Sequence, residues 1–305
     1  MAEVTAYAPG SASNLGPGFD CLGVAFTGKG DRVTARVTAT AGVRVESASD
    51  PRIPLQADRN TAGIAAAAVL RRAGGSAGLA LRVQKGLPLA GGMGGSAASA
   101  VAGAVAADAA LGLRLQKQEL LEAALEAETA VAGRHADNVA PSLFGGAVLV
   151  LGLDPPRLVR LRVHPELRLV LVTPDYAVMT AEARAVLPVQ VPRGDAVAQA
   201  ASLGVLVVAL ERGDRELIRP AMVDRIAEPV RWRLYPGYVQ ARAAALEAGA
   251  IAVVVSGAGP TLVAMAAVAE AAAVAQALEI GYARAEIKAQ AHVAEVDVTG
   301  ARVEP

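Results

Sequence analysis

Hydrophobic and polar positions along the chain follow two periods, which predict strands and helices in alternation. Period-two stretches at 32–39 and 79–83 predict β-strands, whereas residues 60–75 and 116–133 are typical of helices. Asn60 stands at the start of the first helix, where its side chain can cap free backbone N–H groups.

The second half of the chain continues the mixed pattern. Apolar runs at 145–152, 158–163 and 167–174 predict three successive strands. Past Thr180 we expect three or four helices, followed by a pair of strands across 250–266. This order of elements predicts an α+β fold.

The length of 305 residues suits one large domain or two fused ones. Turn-forming residues concentrate between 152 and 165. We therefore expect two layered domains, 1–155 and 156–305.

Composition narrows the class of protein. The formal net charge is zero, which argues against a nucleic-acid partner and against a polybasic membrane ligand. Cys21 is the only cysteine, so no intrachain disulfide can form and a reducing compartment is expected. The first eleven residues lack the basic and apolar regions of a signal peptide, and we expect a cytoplasmic protein.

The uncharged run 86–107 is the most informative stretch. It carries six glycines and a proline among few large apolar side chains, which is unlike a membrane helix. It follows a strand, and an alanine-rich helix is expected from Ser96 to about Leu111. Because glycines expose backbone amides and a helix begins with unpaired N–H groups, this loop is predicted to bind phosphate. Close packing of glycine and alanine is the alternative.

Residues 92–97, "GMGGSA", formally match the dinucleotide-binding pattern. That fold needs the first glycine directly after its strand and an acidic residue about twenty positions later. Here eight residues, including Pro88, intervene, and the later region is polar and helical. A G-K-[ST] ending is also missing, so a Walker-type loop is excluded.

Three ordered stretches resemble the three motifs of the GHMP small-molecule kinases: 9–26 (PGSASNLGPGFDCLGVAF), 88–99 (PLAGGMGGSAAS) and 256–265 (SGAGPTLVAM). Two more, 135–146 and 228–238, are similar to the branch of that family that phosphorylates L-homoserine. The resemblance implies ATP-dependent formation of O-phospho-L-homoserine, a step in threonine biosynthesis. It also implies an N-terminal domain like domain 2 of ribosomal protein S5, a ferredoxin-like C-terminal domain, and a homodimer.

By this resemblance, Ser96 and Glu128 hold Mg²⁺, an ion that prefers oxygen ligands. The family pattern has two adjacent serines, but here Gly95 precedes Ser96, which leaves one hydroxyl. Glu122 and Glu126 stand close to Glu128 and remain alternatives, as does a solvated helix face for all three glutamates.

A zwitterionic acceptor needs a carboxylate for its ammonium and cations for its carboxylate. The resemblance assigns the first role to Asp20, the second to Arg184 and Arg231, and a hydroxyl contact to Thr180, which could instead be a helix N-cap. Asn14 and Asn138 would orient the substrate and its reacting hydroxyl.

Two further polar residues stay outside the predicted catalytic set. Asp137 lies near the position where related sugar and mevalonate kinases use a general base, but the homoserine branch works without one. His135 has the pKa range for proton transfer, yet a structural hydrogen bond is the preferred interpretation.

For ATP, the resemblance places Asn60 and Lys85 at the base, with a helix cap and a surface lysine as alternatives. Residues 256–261 are expected to support the phosphate loop from behind. The predicted ATP-binding loop comprises Pro88, Leu89, Ala90, Gly91, Gly92, Met93, Gly94, Gly95, Ser96, Ala97 and Ala98.

Two other functions remain open. One is a kinase of the same family for another small alcohol, such as mevalonate or a sugar. The other is a nucleotide-binding protein without kinase activity. Asp20 and the two arginines favour an amino-acid acceptor over a neutral sugar, and Ser96 with Glu128 favours catalysis over binding alone.

Overall fold

The structure, a computed structural model, describes residues 3–74, 77–131 and 133–305. The strands in these ranges are β1 Glu3–Asn14, β2 Gly18–Thr38, β3 Gly42–Ala48, β4 Gly78–Gln84, β5 Ala147–Leu153, β6 Pro156–Leu161, β7 Leu167–Pro174, β8 Ala252–Val255, β9 Leu262–Ala267, β10 Ala289–Ala294 and β11 Arg302–Val303. The helices are α1 Thr61–Arg72, α2 Gly95–Leu111, α3 Lys117–Val131, α4 Val139–Phe144, α5 Thr180–Ala185, α6 Arg193–Arg212, α7 Arg215–Ala221, α8 Glu228–Arg231, α9 Tyr238–Glu247 and α10 Ala271–Ala283.

The first sheet has the strand order β11-β1-β2-β4-β3, and β5 joins it through β2 and carries β6 at its edge. Its pairings are antiparallel except for the parallel β3–β4 pair. The 21-residue β2 pairs with β1, β4 and β5 along its length, so this strand organises the sheet.

Helices α1 to α4 contribute to the core of the first sheet. The alanine-rich α2 lies against α1, and a Cβ at Gly103 would stand 2.6 Å from the Ala62 carbonyl oxygen. Small side chains are therefore required where these two helices meet, and the packing interpretation holds for the body of α2.

The second sheet has the order β10-β7-β9-β8 and is antiparallel throughout. Alternate residues of β7 enter different cores: Leu169 and Leu171 join the core of the first sheet, whereas Val170 and Val172 pack with α9 and α10. Both faces of this sheet are thus buried, which explains the nearly continuous apolar run in β7.

The α+β fold is confirmed. The β5–β6 hairpin spans the predicted domain boundary after residue 155, so we propose that the division lies after Leu161. The C-terminal β11 returns to the first sheet, where Val303 pairs with Ala6.

The 20-residue helix α6 is long and apolar enough to cross a membrane by length and composition alone. Its most apolar 18-residue stretch has a mean hydropathy of 1.4, and 22% of that stretch is buried. One such helix is weak evidence for a membrane span, and a protein outside the membrane stays our prediction.

Candidate active site

A cavity of about 490 Å³ brings the three motifs together. Its lining includes residues of the 52–61 segment, the β1–β2 turn, α5 and α8. The predicted site residues that line it are Asn14, Asp20, Asn60, Lys85, Pro88, Leu89, Ala90, Gly91, Gly92, Gly94, Gly95, Ser96, Glu128, Asn138, Thr180, Arg184 and Arg231.

Two glycines determine the path of the loop before α2. Gly92 has φ +75°, and a Cβ there would stand 2.7 Å from the carbonyl oxygens of Gly259 and Ser256. Gly94 has φ +67°, occupies the N-cap of α2, and would direct a Cβ to 2.2 Å from Ser11 Oγ. No other residue fits either position, so the loop backbone stays close to its supports.

The third motif supports this loop from behind. Ser256 Oγ donates to the Gly92 carbonyl oxygen at 2.6 Å, and the Thr261 N–H donates to the Gly91 carbonyl oxygen at 3.2 Å. The expected supporting role is confirmed, and Gly257 and Gly259 also reach the cavity wall.

Ser96 and Glu128 meet at the start of α2. Ser96 Oγ donates to the two carboxylate oxygens of Glu128 at 2.9 and 3.2 Å. Burial raises the pKa of Glu128 to about 7, against the effect of this hydrogen bond, and the nearby charge of Asp137 adds to the rise. The exposed Glu126 pairs with Arg71 instead.

This carboxyl fits a cation site, because it is buried at the cavity wall with a single hydroxyl as its hydrogen-bond donor among the described residues. A bound cation would offset the cost of ionising it away from water.

Ionising the buried Glu128 destabilises the metal-free folded protein. We therefore expect the free energy of unfolding of wild type, relative to that of Glu128→Gln, to fall between about pH 5 and pH 8. The folded pKa is raised from 4.5 to about 7, so the unfolded chain loses this proton at lower pH. At about 1.4 kcal/mol per pKa unit, the variant should gain about 3 kcal/mol over wild type by pH 8. Urea unfolding at both pH values, without magnesium, measures this difference.

Glu126→Gln, on the same helix but exposed, is the matched control and should follow the wild-type pH profile. A wild-type protein that gains stability relative to Glu128→Gln as pH rises would contradict the raised pKa.

Asn14 joins the first motif to the third. It adopts φ +72° in the β1–β2 turn, donates from Nδ2 to the Gly257 carbonyl oxygen at 3.0 Å, and accepts from the Asp20 N–H at 3.1 Å. The amide therefore fixes the backbone that carries the Asp20 side chain.

Asn138 joins the first motif to the start of α4. Its Oδ1 accepts from Ser11 Oγ at 2.9 Å, and its Nδ2 donates to Ser13 Oγ at 3.0 Å. The adjacent Asp137 is buried, and burial, followed by the charge of Asp20, raises its pKa to about 6.

Asp20 and Arg184 form a two-bond ion pair inside the cavity. Arg184 Nη2 and Nη1 donate to Asp20 Oδ1 and Oδ2 at 2.9 and 3.1 Å. His135 Nδ1 lies 3.6 Å from Asp20 Oδ2, and burial lowers the pKa of this histidine. Arg184 Nε is buried without a hydrogen-bond partner among the described residues.

Arg231 is a buried cation facing the same cavity. Its side chain donates from Nε to the Ala183 carbonyl oxygen at 2.7 Å and from Nη1 to that of Gly257 at 3.3 Å, beside the Phe19 ring. Burial lowers its pKa. Within the described ranges it forms no salt bridge, so an anion in the cavity would be its counter-charge.

Thr180 is the first residue of α5, with Met179 at the cap position and no side-chain cap hydrogen bond. The N-cap alternative for Thr180 is therefore not what the structure has. Thr180 lines the cavity, as Arg184 does.

The two residues predicted at the nucleotide base use their side chains elsewhere. Asn60 caps α1 by accepting from the Gly63 N–H at 3.1 Å, and donates to the Pro54 carbonyl oxygen at 2.8 Å. Lys85 pairs with the buried Asp31. Both line the cavity, but neither offers an uncommitted side chain to a base.

Three predicted loop residues do not line the cavity: Met93, Ala97 and Ala98 are buried in the core of the first sheet. Other residues that line the cavity were not predicted from the sequence. These are Arg52, Ile53, Pro54, Arg59, Thr61, Val83 and Val131. The proline- and arginine-containing segment just before Asn60 was the available signal.

Comparisons with known proteins agree with this geometry. The chain matches the GHMP kinases N terminal domain over residues 60–146 and the GHMP kinases C terminal domain over residues 206–284. It is 42% identical to a homoserine kinase of Arabidopsis thaliana, over 86% of this chain and 74% of that one. It is 40% identical to a homoserine kinase of Pyrococcus abyssi, over 85% of this chain and 86% of that one.

A solved structure shows the same likeness. The crystal structure of homoserine kinase from Cytophaga hutchinsonii superposes with a TM-score of 0.95 at 37% identity, covering 100% of this chain and 98% of that one. The two-domain GHMP kinase fold expected from the motifs is thereby confirmed. With both domain matches and this identity over nearly its whole length, the chain belongs to the homoserine kinase family of the GHMP kinases.

Proposed function

We propose that the protein transfers the γ-phosphoryl group of ATP to the side-chain hydroxyl of L-homoserine. The hydroxyl oxygen bonds to the γ-phosphorus, the bond to the β–γ bridging oxygen breaks, and the products are O-phospho-L-homoserine, ADP and a proton. The observation that carries this proposal is the buried Arg231, which lacks a carboxylate partner among the described residues, in one cavity with the glycine loop.

The glycine loop is the proposed site for the phosphates of ATP. Helix α2 begins at Gly95, and the first N–H groups of a helix have no intrahelical acceptors. Together with the positive end of the helix dipole, they favour phosphate oxygens.

Ser96 and Glu128 are the proposed protein ligands of Mg²⁺, which neutralises charge on the transferring phosphates when it is bound. The described residues contain no cluster of three or more histidine, cysteine, aspartate or glutamate side chains. Two protein ligands suit an ion that takes most of its coordination from phosphate and water.

The charged side chains of Asp20, Arg184 and Arg231 in the cavity suit a zwitterion. We propose that the substrate ammonium lies beside Asp20, and that its carboxylate lies between Arg184 and Arg231, with Thr180 at its edge. The Asp20–Arg184 ion pair must then open, and the two charges of the substrate replace its bonds. A neutral sugar supplies neither charge, and mevalonate supplies only the carboxylate.

Asn14 and Asn138 would hold the reacting hydroxyl against the loop, since both line the cavity and are themselves fixed by hydrogen bonds to the first and third motifs. Asp137 is buried and also lines the cavity; we keep it outside the catalytic set because the resemblance implies that no general base is used.

An ADP-release assay with L-homoserine, mevalonate and galactose side by side tests the choice of acceptor. We expect turnover with L-homoserine well above that with the other two. Faster turnover with mevalonate or galactose would favour a kinase for another alcohol, and ADP binding without turnover on any acceptor would favour a binding protein.

We also propose a cytoplasmic homodimer.

Ser96→Ala should reduce magnesium-dependent turnover more than nucleotide affinity. The loop amides remain in this variant, while a proposed cation ligand and the donor to Glu128 are lost. Calorimetry with ADP and steady-state turnover at several magnesium concentrations separate the two effects. Ser142→Ala, whose buried hydroxyl donates to the Pro9 carbonyl oxygen, is the control. Equal loss of affinity and turnover, or no loss of either, would remove Ser96 from the metal site.

A further inference from the structure

A buried network of Asp31, Lys85 and Ser99 lies directly behind the phosphate loop. Asp31, on β2, is fully buried, and the Lys85 side chain at the end of β4 is 7% exposed. Lys85 Nζ pairs with Asp31 Oδ2 and also donates to Ser99 Oγ at 3.0 Å. Ser99 Oγ in turn donates to Asp31 Oδ2 at 2.7 Å.

This network holds both ends of the loop. Asp31 Oδ1 accepts from the N–H groups of Gly86 and Leu87 at 3.0 and 3.2 Å, where the chain leaves β4. Lys85 Nζ donates to the Gly95 carbonyl oxygen at 2.7 Å, where the chain enters α2. The position of Ser96, the next residue, therefore depends on the ion pair.

The hydrogen-bonding capacity of the lysine is fully used. An ammonium group has three donors, and the protein occupies them with Asp31, the Gly95 carbonyl and Ser99. A contact between Lys85 and a nucleotide base would require one of these bonds to break. Because both charges are buried, losing either partner leaves the other uncompensated.

We propose that the Asp31–Lys85 pair is a positioning device that sets the loop for the phosphates of the nucleotide, and that Lys85 acts through the loop. This inference rests on the proposed nucleotide binding. Two consequences distinguish it from a lysine that contacts the base. The effect of losing Lys85 is the same with or without a base, and Asp31, which does not line the cavity, matters as much as Lys85.

The test measures dissociation constants of ADP and of inorganic tripolyphosphate, together with kcat and the KM for L-homoserine. The variants are Lys85→Met, Asp31→Asn and Ser99→Ala. Lys117→Met is the control for removing a lysine ammonium, because Lys117 is exposed and donates to the backbone carbonyl of Leu143, away from the cavity.

We expect Lys85→Met and Asp31→Asn to weaken ADP and tripolyphosphate by the same factor, about tenfold or more, and Ser99→Ala by a smaller factor. The KM for L-homoserine and the control should not change. A merely structural pair would lower the stability of the protein and leave the phosphate affinities of the folded variants intact, which would overturn the proposal.

Two other outcomes also decide the question. If Lys85→Met weakens ADP but not tripolyphosphate, Lys85 is a ligand of the base and the proposal is wrong. If the two charge variants do not fold, Ser99→Ala decides: unchanged affinity for both probes overturns it. Failure of the wild-type protein to bind either probe would instead contradict the proposed nucleotide site itself.

Discussion

Arg231→Ala is expected to lower kcat/KM for L-homoserine by roughly ten- to more than a hundredfold and to leave ATP affinity almost unchanged. Charge-assisted hydrogen bonds contribute about 1.5 to 3 kcal/mol, and about 1.4 kcal/mol corresponds to a tenfold change. The guanidinium is held by the carbonyl oxygens of Ala183 and Gly257 and by the Phe19 ring, so it is already positioned before an anion arrives. Steady-state kinetics with each substrate varied in turn measure the effect.

Esterifying the substrate carboxylate gives the matching control. The homoserine methyl ester should be a much poorer substrate than the free acid for wild type, and only slightly poorer for Arg231→Ala. Arg233→Ala should behave as wild type. Arg233 is two positions after Arg231, but its side chain lies beside Trp232 and does not line the cavity. If wild type phosphorylates the ester as well as the acid, the proposed contact is wrong and another small alcohol becomes the better candidate.

Glu128→Gln is expected to reduce kcat by roughly 10²- to 10³-fold, the range found when one group that stabilises transition-state charge is removed. The amide retains the hydrogen bond to Ser96 but cannot supply the charge that a magnesium ion needs. ADP affinity without magnesium should change little, because the loop is intact. Calorimetry and turnover measured over a range of magnesium concentrations test both statements.

Glu126→Gln is the control for this substitution and should be nearly silent, since Glu126 is exposed and pairs with Arg71. The reverse ranking of the two variants would move the metal site by two residues along α3. It would also mean that the Ser96–Glu128 hydrogen bond serves packing alone.

Local signals were enough to predict the glycine loop before α2 and several elements. The helix expected from Ser96 to about Leu111 is α2, which begins one residue earlier, and the strand at 79–83 lies within β4. Positive φ angles at Gly92 and Gly94 are the kind of conformation that a run of glycines predicts. These features depend on neighbouring residues along the chain, which is why the sequence reveals them.

Other elements were not predicted from the sequence, because they are stabilised by residues distant in the chain. Residues 3–14 contain a proline, a glycine and two serines, yet they form β1, which pairs with β2 along most of its length. Past Thr180, five short and long helices replace the three or four expected before β8. Burial against the rest of the molecule outweighs weak local propensity in both cases.

The site shows the same limit. The sequence predicted that Asn60 caps α1, and this is confirmed, but it did not reveal the partner of Lys85, which is Asp31, 54 residues earlier in the chain. A sequence does not show which of several possible partners a polar side chain pairs with in the folded protein. Residues 52–54 were missed for the same reason, since only the fold brings them to the same cavity as the loop.

Phosphorus NMR of the products tests the central proposal most directly. With ATP, magnesium and L-homoserine, the purified protein should form one phosphate monoester on the side-chain oxygen for each ADP released. ADP released together with inorganic phosphate, or no consumption of L-homoserine under conditions where another alcohol is phosphorylated, would contradict the account.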